Sequence, residues 1–151
     1  MVSLQYKRDI MENHDAAAIS PSNNPAEYHW NNKVVLITED EEVNFFYLKT
    51  LLKKTEARII RAKNGKEAVD IITKQKGQID LVLMDLNMPV MDGYEAMRII
   101  KSKHPEIPII AQTAYTLNND RYKCLQAGFN DYISKPINRV ALFRMVNENL
   151  S

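Results

Sequence analysis

The chain has 151 residues, enough for one domain with a substantial core, and its 20 basic residues against 19 acidic ones leave a formal net charge of +1. That balance gives no electrostatic case for nucleic acid or for an anionic membrane surface. The single cysteine, Cys124, excludes an internal disulfide and lacks the neighbours of a zinc site, which fits a reducing, cytoplasmic compartment.

No apolar stretch approaches the roughly 18–20 residues needed to cross a bilayer. The opening MVSLQYKRDIMENHDAAAIS mixes charges throughout and has no apolar core of the kind a signal peptide carries. Residues 1–32 read as a leader or linker: residues 7–18 admit a short helix, and ISPSNNPAEYHWNN is rich in Asn, Ser and Pro without a sustained period. Within it Tyr28 and Trp30 are apolar enough to pack on the domain that begins at Lys33.

From Lys33 the pattern is regular to the end, and residues 33–151 read as one domain. KVVLITED is a short apolar strand ending in acids. VNFFYLKTLLKK has helical spacing through Val43, Phe46, Leu48, Leu51 and Leu52. ARIIRA is a second strand, and NGKEAVDIITKQ turns into a helix with Ala68, Val69, Ile71 and Ile72 on its apolar side. IDLVLMD is a third strand, GYEAMRIIKSK a helix stopped before Pro105, and IPIIAQTA a fourth strand. LNNDRYKCLQAG is a helix closed by Gly128, and NDYISKP is a short fifth strand. INRVALFRMVNENL is a final amphipathic helix with Val140, Phe143, Val146 and Leu150 on one face.

Five strands alternating with five helices, the central strands continuously apolar, predict an α/β fold with an open, doubly wound parallel sheet. Such sheets bind ligands beyond the carboxyl ends of their strands, where the strand order reverses. If the order is 2-1-3-4-5, Glu39 and Asp40 at the end of strand one meet Asp85 at the end of strand three. Three converging carboxylates repel, and a hard divalent cation such as Mg²⁺ is the natural way to offset them. Strands four and five end on the same rim with Thr113 and Lys135. A strand-end carboxylate, an acid pair, a lysine and a hydroxyl suit phosphoryl transfer, in which positioning and charge neutralisation dominate.

Here the chain resembles the receiver domain of two-component response regulators, a CheY-like, flavodoxin-like (βα)5 fold. The pieces that carry the likeness are ITEDEEVN (37–44), NGKEAVD (64–70), DLVLMDLNMPVMDGYEAM (80–97), IPIIAQTA (107–114) and AGFNDYISKPI (127–137). Their wording is most similar to receivers attached to hybrid sensor histidine kinases. The resemblance implies that Asp85 is the phosphoacceptor, that Asp40 binds Mg²⁺ directly and Glu39 through a water, and that Asn87 gives the metal its backbone carbonyl. Mn²⁺ is expected to substitute. It implies that Lys135 contacts the phosphoryl oxygens, and that Thr113 and Tyr132 move together as the switch. Tyr115 is expected to flank the phosphoryl group and slow attack by water.

The resemblance further implies a histidine kinase or histidine phosphotransfer protein as phosphoryl donor. A downstream partner would be met through the fourth helix, fifth strand and fifth helix; homodimerisation is left open. The domain would catalyse its own phosphorylation and slow dephosphorylation without being an independent enzyme. A bacterial source is expected, with the chain a stand-alone receiver or part of a hybrid kinase at the cytoplasmic face of a membrane. Two departures from the family pattern stand out: Glu39 where Asp is commonest, and Gln112 where an apolar residue is usual.

Simpler readings weigh against single residues. A lone Asp at a strand end usually makes a turn or caps a helix; five matching strand-end residues do not. Asp92-Gly93 reads as a turn and helix start, Pro89 as shaping the loop, Glu42 as a helix cap, and His14, His29 and His104 are scattered without metal spacing. A phosphohydrolase of the haloacid dehalogenase type would need an acid two residues after Asp85, and Asn87 stands there. A receiver-like binding module without phosphoryl chemistry is the remaining rival.

Overall fold

The computed structural model describes residues 28–75, 77–114 and 120–150. The short helix expected over 7–18 and the site-flanking Tyr115 lie outside them. The elements are β1 (Val34–Thr38), α1 (Glu42–Lys53), β2 (Arg58–Ala62), α2 (Gly65–Lys74) and β3 (Leu81–Asp85), then α3 (Gly93–Lys103), β4 (Ile109–Thr113), α4 (Asp120–Ala127), β5 (Asp131–Ser134) and α5 (Arg139–Leu150). The sheet is parallel throughout and runs β2-β1-β3-β4-β5. The alternation of strands and helices predicted the doubly wound parallel sheet, and the strand order is the flavodoxin-like one that the resemblance implies.

The period-two alternation of the strands sorts side chains into two layers. Val35, Ile37, Leu81, Leu83, Ile110 and Ile133 face α1 and α5, where they meet Leu48, Leu52, Leu142, Phe143 and Val146. Leu36, Val82, Met84, Ile109 and Ala111 face α2, α3 and α4, where they meet Ala68, Ile72, Ala96, Met97, Ile100 and Cys124. The same alternation puts residue 85, two beyond Leu83, on the α1/α5 face at the top of β3.

The apolar stripe of α1 is wider than the core it covers. Leu48 and Leu52 are buried, and Phe45 and Leu51 pack against them, but Val43 is 79% and Phe46 69% exposed. Helical spacing alone admitted both, whereas the sheet covers only the face through positions 45, 48 and 52. In α5, Leu142 joins Phe143 and Val146 in the core.

The segment before β1 also belongs to the core. Trp30 is 5% exposed, its indole nitrogen donates to Asn147 Oδ1 at 3.1 Å, and its backbone N–H donates to Thr55 O at 2.7 Å. Tyr28 stacks on Phe143 with ring centroids 5.8 Å apart. These aromatics seal the amino-terminal edge of the α1/α5 layer, opposite the rim where the carboxylates gather.

Trp30→Ala is expected to destabilise the domain by about 3 kcal/mol or more, the usual cost of truncating a buried Trp. Urea unfolding followed by circular dichroism measures it; a loss below about 1 kcal/mol would place Trp30 outside the cooperative core.

Candidate functional site

The stretch DLVLMDLNMPVMDG owes its shape to local bonds. β3 is buried along its whole length, and Asp85, its last residue, is 5% exposed. The chain then reverses: Asn87 N–H donates back to Asp85 Oδ1 at 3.1 Å, and Gly93 N–H donates to Leu86 O at 3.2 Å. Asp92 caps α3 by accepting from Glu95 N–H at 2.9 Å. A Cβ at position 93 would collide with the carbonyl oxygen of Asp85, so only glycine lets α3 start directly over the strand end. The turn thus leaves the Asp85 carboxylate facing the rim.

Glu39, Asp40 and Asp85 each offer a carboxylate oxygen, and these oxygens lie within 4.8 Å of one another. Glu39 is fully buried. Lys135, just past β5, reaches both inner acids: Nζ lies 3.2 Å from Asp85 Oδ2 and 3.3 Å from Glu39 Oε2. Its backbone N–H donates to Thr113 O at 2.8 Å, which ties the lysine to the end of β4. The Lys135–Pro136 peptide is cis. Asn44, one turn into α1, donates its amide to Glu39 Oε1 and Glu41 Oε2, both at 3.0 Å.

Electrostatics bear the strain of this arrangement. Burial, together with the Asp85 carboxylate beside it, pushes Glu39 up from 4.5 to about 7, and Asn44 and Lys135 pull it back only in part. Burial alone would lower Lys135, but Asp85 and Glu39 raise it above the ordinary lysine value. One lysine does not neutralise three acids. Hard oxygen donors, two of them buried and close enough to share one ion, fit a divalent cation, with Glu39, Asp40 and Asp85 as its holders.

The remaining expected residues take distinct places. Thr113 is buried, Asn87 is exposed at the loop, and both line a cavity of about 200 Å³ with Leu86, Tyr94 and Asp120. Tyr132 is half-buried on the α2/α3/α4 side of β5, against the core cluster there. The cap position of α1 is Glu41, whose side chain makes no capping bond to the helix backbone; Glu42 is the acid of the first turn, and its carboxylate pairs with Arg61 at 2.8 Å. Gln112 is fully buried on the α1/α5 face, opposite Asp85 in the ladder, and neither its Oε1 nor its Nε2 has a partner. Sequence reasoning missed Arg61. Its signal was an arginine inside the apolar strand ARIIRA, one residue from the end at the same rim.

A sequence model of the response regulator receiver domain matches residues 35–147. The chain is 38% identical over 123 residues to hybrid signal transduction histidine kinase I of Dictyostelium discoideum, which covers 77% of this chain and 7% of that kinase. It therefore spans only a small part of that relative's length. Among solved structures, the receiver domain of the Pseudomonas aeruginosa sensor histidine kinase PA1611, with magnesium coordinated in its active site cleft, is 37% identical with a TM-score of 0.71. That likeness covers 79% of this chain and 98% of the other. The receiver domain of a Saccharomyces cerevisiae response regulator, crystallised with a histidine phosphotransfer signalling protein, is 35% identical with a TM-score of 0.71, over 78% of this chain and 88% of the other.

Two outcomes are expected. Gln112→Leu should stabilise the domain by about 1 kcal/mol or more, because it removes a buried, unpaired amide; a loss of stability on urea unfolding would mean that the amide is satisfied. The native state holds the Glu39 proton more tightly than the unfolded chain does, so the metal-free protein should lose stability as pH rises from about 5 to about 8. Mg²⁺ competes with that proton, so its stabilising effect on thermal unfolding should be larger at pH 8 than at pH 6. Equal effects at both would contradict the placement of Glu39 at the cation site.

Proposed function

Because the chain belongs to the response regulator receiver family, we propose that it accepts a phosphoryl group on Asp85 from a phosphohistidine and changes conformation in response. The observation that carries this reading is the setting of Asp85: a strand-end carboxylate with Lys135 at 3.2 Å and two further acids within ion-sharing distance.

In the transfer, an oxygen of the Asp85 carboxylate attacks phosphorus as the phosphorus–nitrogen bond to the donor imidazole breaks. The electron pair stays on the imidazole nitrogen, which then takes a proton. Mg²⁺, held by Glu39, Asp40, Asp85 and the carbonyl of Asn87, would offset the charge that the incoming phosphoryl oxygens add to the rim; Mn²⁺ would serve in its place. Lys135 already bridges Asp85 and Glu39, so it needs little movement to meet a phosphoryl oxygen. The turn that sets Asp85 against the start of α3 keeps the acceptor oxygen at the rim.

The switch follows from the same chemistry. Formation of the acyl phosphate removes the negative charge of the Asp85 carboxylate from beside Lys135 and Glu39 and adds phosphoryl oxygens above it. Thr113 is the hydroxyl that would close on those oxygens, with space beside it in the cavity shared with Tyr94 and Asp120. Tyr132 would turn inward in the same step, and Tyr115 would shield the acyl phosphate from water. The readout surface is α4, β5 and α5, where Tyr122 and Leu125 are exposed apolar groups. The donor would be a histidine kinase or a phosphotransfer protein, and the chain a stand-alone receiver or the receiver segment of a hybrid kinase working in the cytoplasm.

Incubation with acetyl phosphate and intact-mass spectrometry of the product test the reading. One added phosphoryl group is expected, requiring Mg²⁺ and absent in Asp85→Asn. A folded chain that gains nothing beside a competent control receiver, or an Asp85→Asn variant that labels as well as the parent, would overturn it.

A further inference from the structure

The acid pair at the end of β1 is held from outside the site by a single side chain. Arg61 lies in β2, in register with Ile37, and its side chain is 16% exposed. The sheet ladder stops one residue above it: Glu39 N–H donates to Ala62 O at 3.0 Å, the last backbone bond between the two strand ends. Beyond that point the carbonyls of Glu39 and Asp40 have left the sheet, and Arg61 takes over. Its Nε and Nη2 donate to Glu39 O at 3.3 and 3.1 Å, and Nη2 also reaches Asp40 O at 3.4 Å. Nη1 pairs with Glu42 Oε1 at 2.8 Å. The guanidinium carbon sits 4.5 Å from the centroid of Phe45. Every side of the group is engaged, and the fork geometry is what allows one side chain to span two successive carbonyls and a carboxylate.

We propose that Arg61 is a positioning residue for the divalent-cation site, fixing the Glu39–Asp40 turn so that both acids present their carboxylates to the rim together. The proposal rests on the reading of that rim as a Mg²⁺ site. Its physical content lies in a sign. A positive charge close to a cation site weakens cation binding by Coulomb repulsion, so if Arg61 acted only as a charge, removing it would tighten Mg²⁺ binding. If Arg61 acts as a clamp, removing it frees the turn, and the cation must then order the two acids itself, which weakens binding. Groups that orient metal-holding side chains commonly cost about 10-fold or more in metal affinity when removed.

The test is calorimetric titration of Mg²⁺ into the unphosphorylated protein, with thermal unfolding recorded for each variant. Arg61→Ala and Arg61→Lys should each weaken Mg²⁺ binding about 10-fold; lysine keeps the charge but cannot fork across two carbonyls. Glu42→Gln, which breaks only the outer ion pair, should stay within about twofold of the parent, as expected for an exposed pair. Parent-like affinity in Arg61→Lys, or tighter binding in a folded Arg61→Ala, overturns the clamp while leaving the Mg²⁺ site standing. A parent protein that binds no Mg²⁺ overturns the clamp and the functional reading together.

Discussion

The arrangement turns on one uncompensated imbalance: three carboxylates brought to one rim with a single lysine among them. Glu39 is fully buried and Asp85 nearly so, so neither can leave its charge to bulk water. Lys135 bonds to both, and burial, with the Asp85 carboxylate beside it, still raises the Glu39 carboxyl to about 7. Such a cluster of hard oxygen donors is suited to receive a divalent counter-charge. The parallel sheet makes the gathering possible, because all its strands send their carboxyl ends to the same side, and the order β2-β1-β3-β4-β5 sets the ends of β1 and β3 next to each other.

Holding that imbalance takes rigid support close by. The β3–α3 loop is pinned by the bond from Asn87 to Asp85, by the Asp92 cap and by a glycine where no Cβ fits. The end of β1 is pinned by Arg61 on the outside and by Asn44 on the inside. Lys135 is pinned through its backbone to Thr113, so that the lysine and the hydroxyl are neighbours at the ends of β4 and β5. The opposite end of the α1/α5 layer is closed by Tyr28 and Trp30, which anchor the segment before β1 onto α5.

Most of this was legible in the residues, for reasons that also mark where legibility stopped. Strand ends were visible because a buried parallel strand is a short apolar run, and a carboxylate or lysine at its end is conspicuous. Five such ends marked out the rim once the strand order was taken as 2-1-3-4-5, the order that the family resemblance implies. Helix α1 was read less well: Val43 and Phe46 satisfy helical spacing, yet the sheet covers a narrower stripe than the helix offers. Glu42 looked like a cap from its place near the helix start, but its partner, Arg61, comes from another strand. Arg61 stood out in the sequence only as an arginine inside an apolar strand; its bonds to the carbonyls of Glu39 and Asp40 carry no signature there. Gln112 was visibly out of place; that it would lack any partner depended on the apolar layer around it.

The most direct test of the central claim is chemical mapping of the acceptor. The protein is incubated with acetyl phosphate and Mg²⁺, the product is reduced with borohydride, which converts an aspartyl phosphate to the corresponding alcohol, and the peptides are sequenced by mass spectrometry. The account predicts reduction at Asp85 alone, and none when Mg²⁺ is withheld. Reduction at Glu39, Asp40 or any other carboxylate, or at Asp85 irrespective of Mg²⁺, would contradict it.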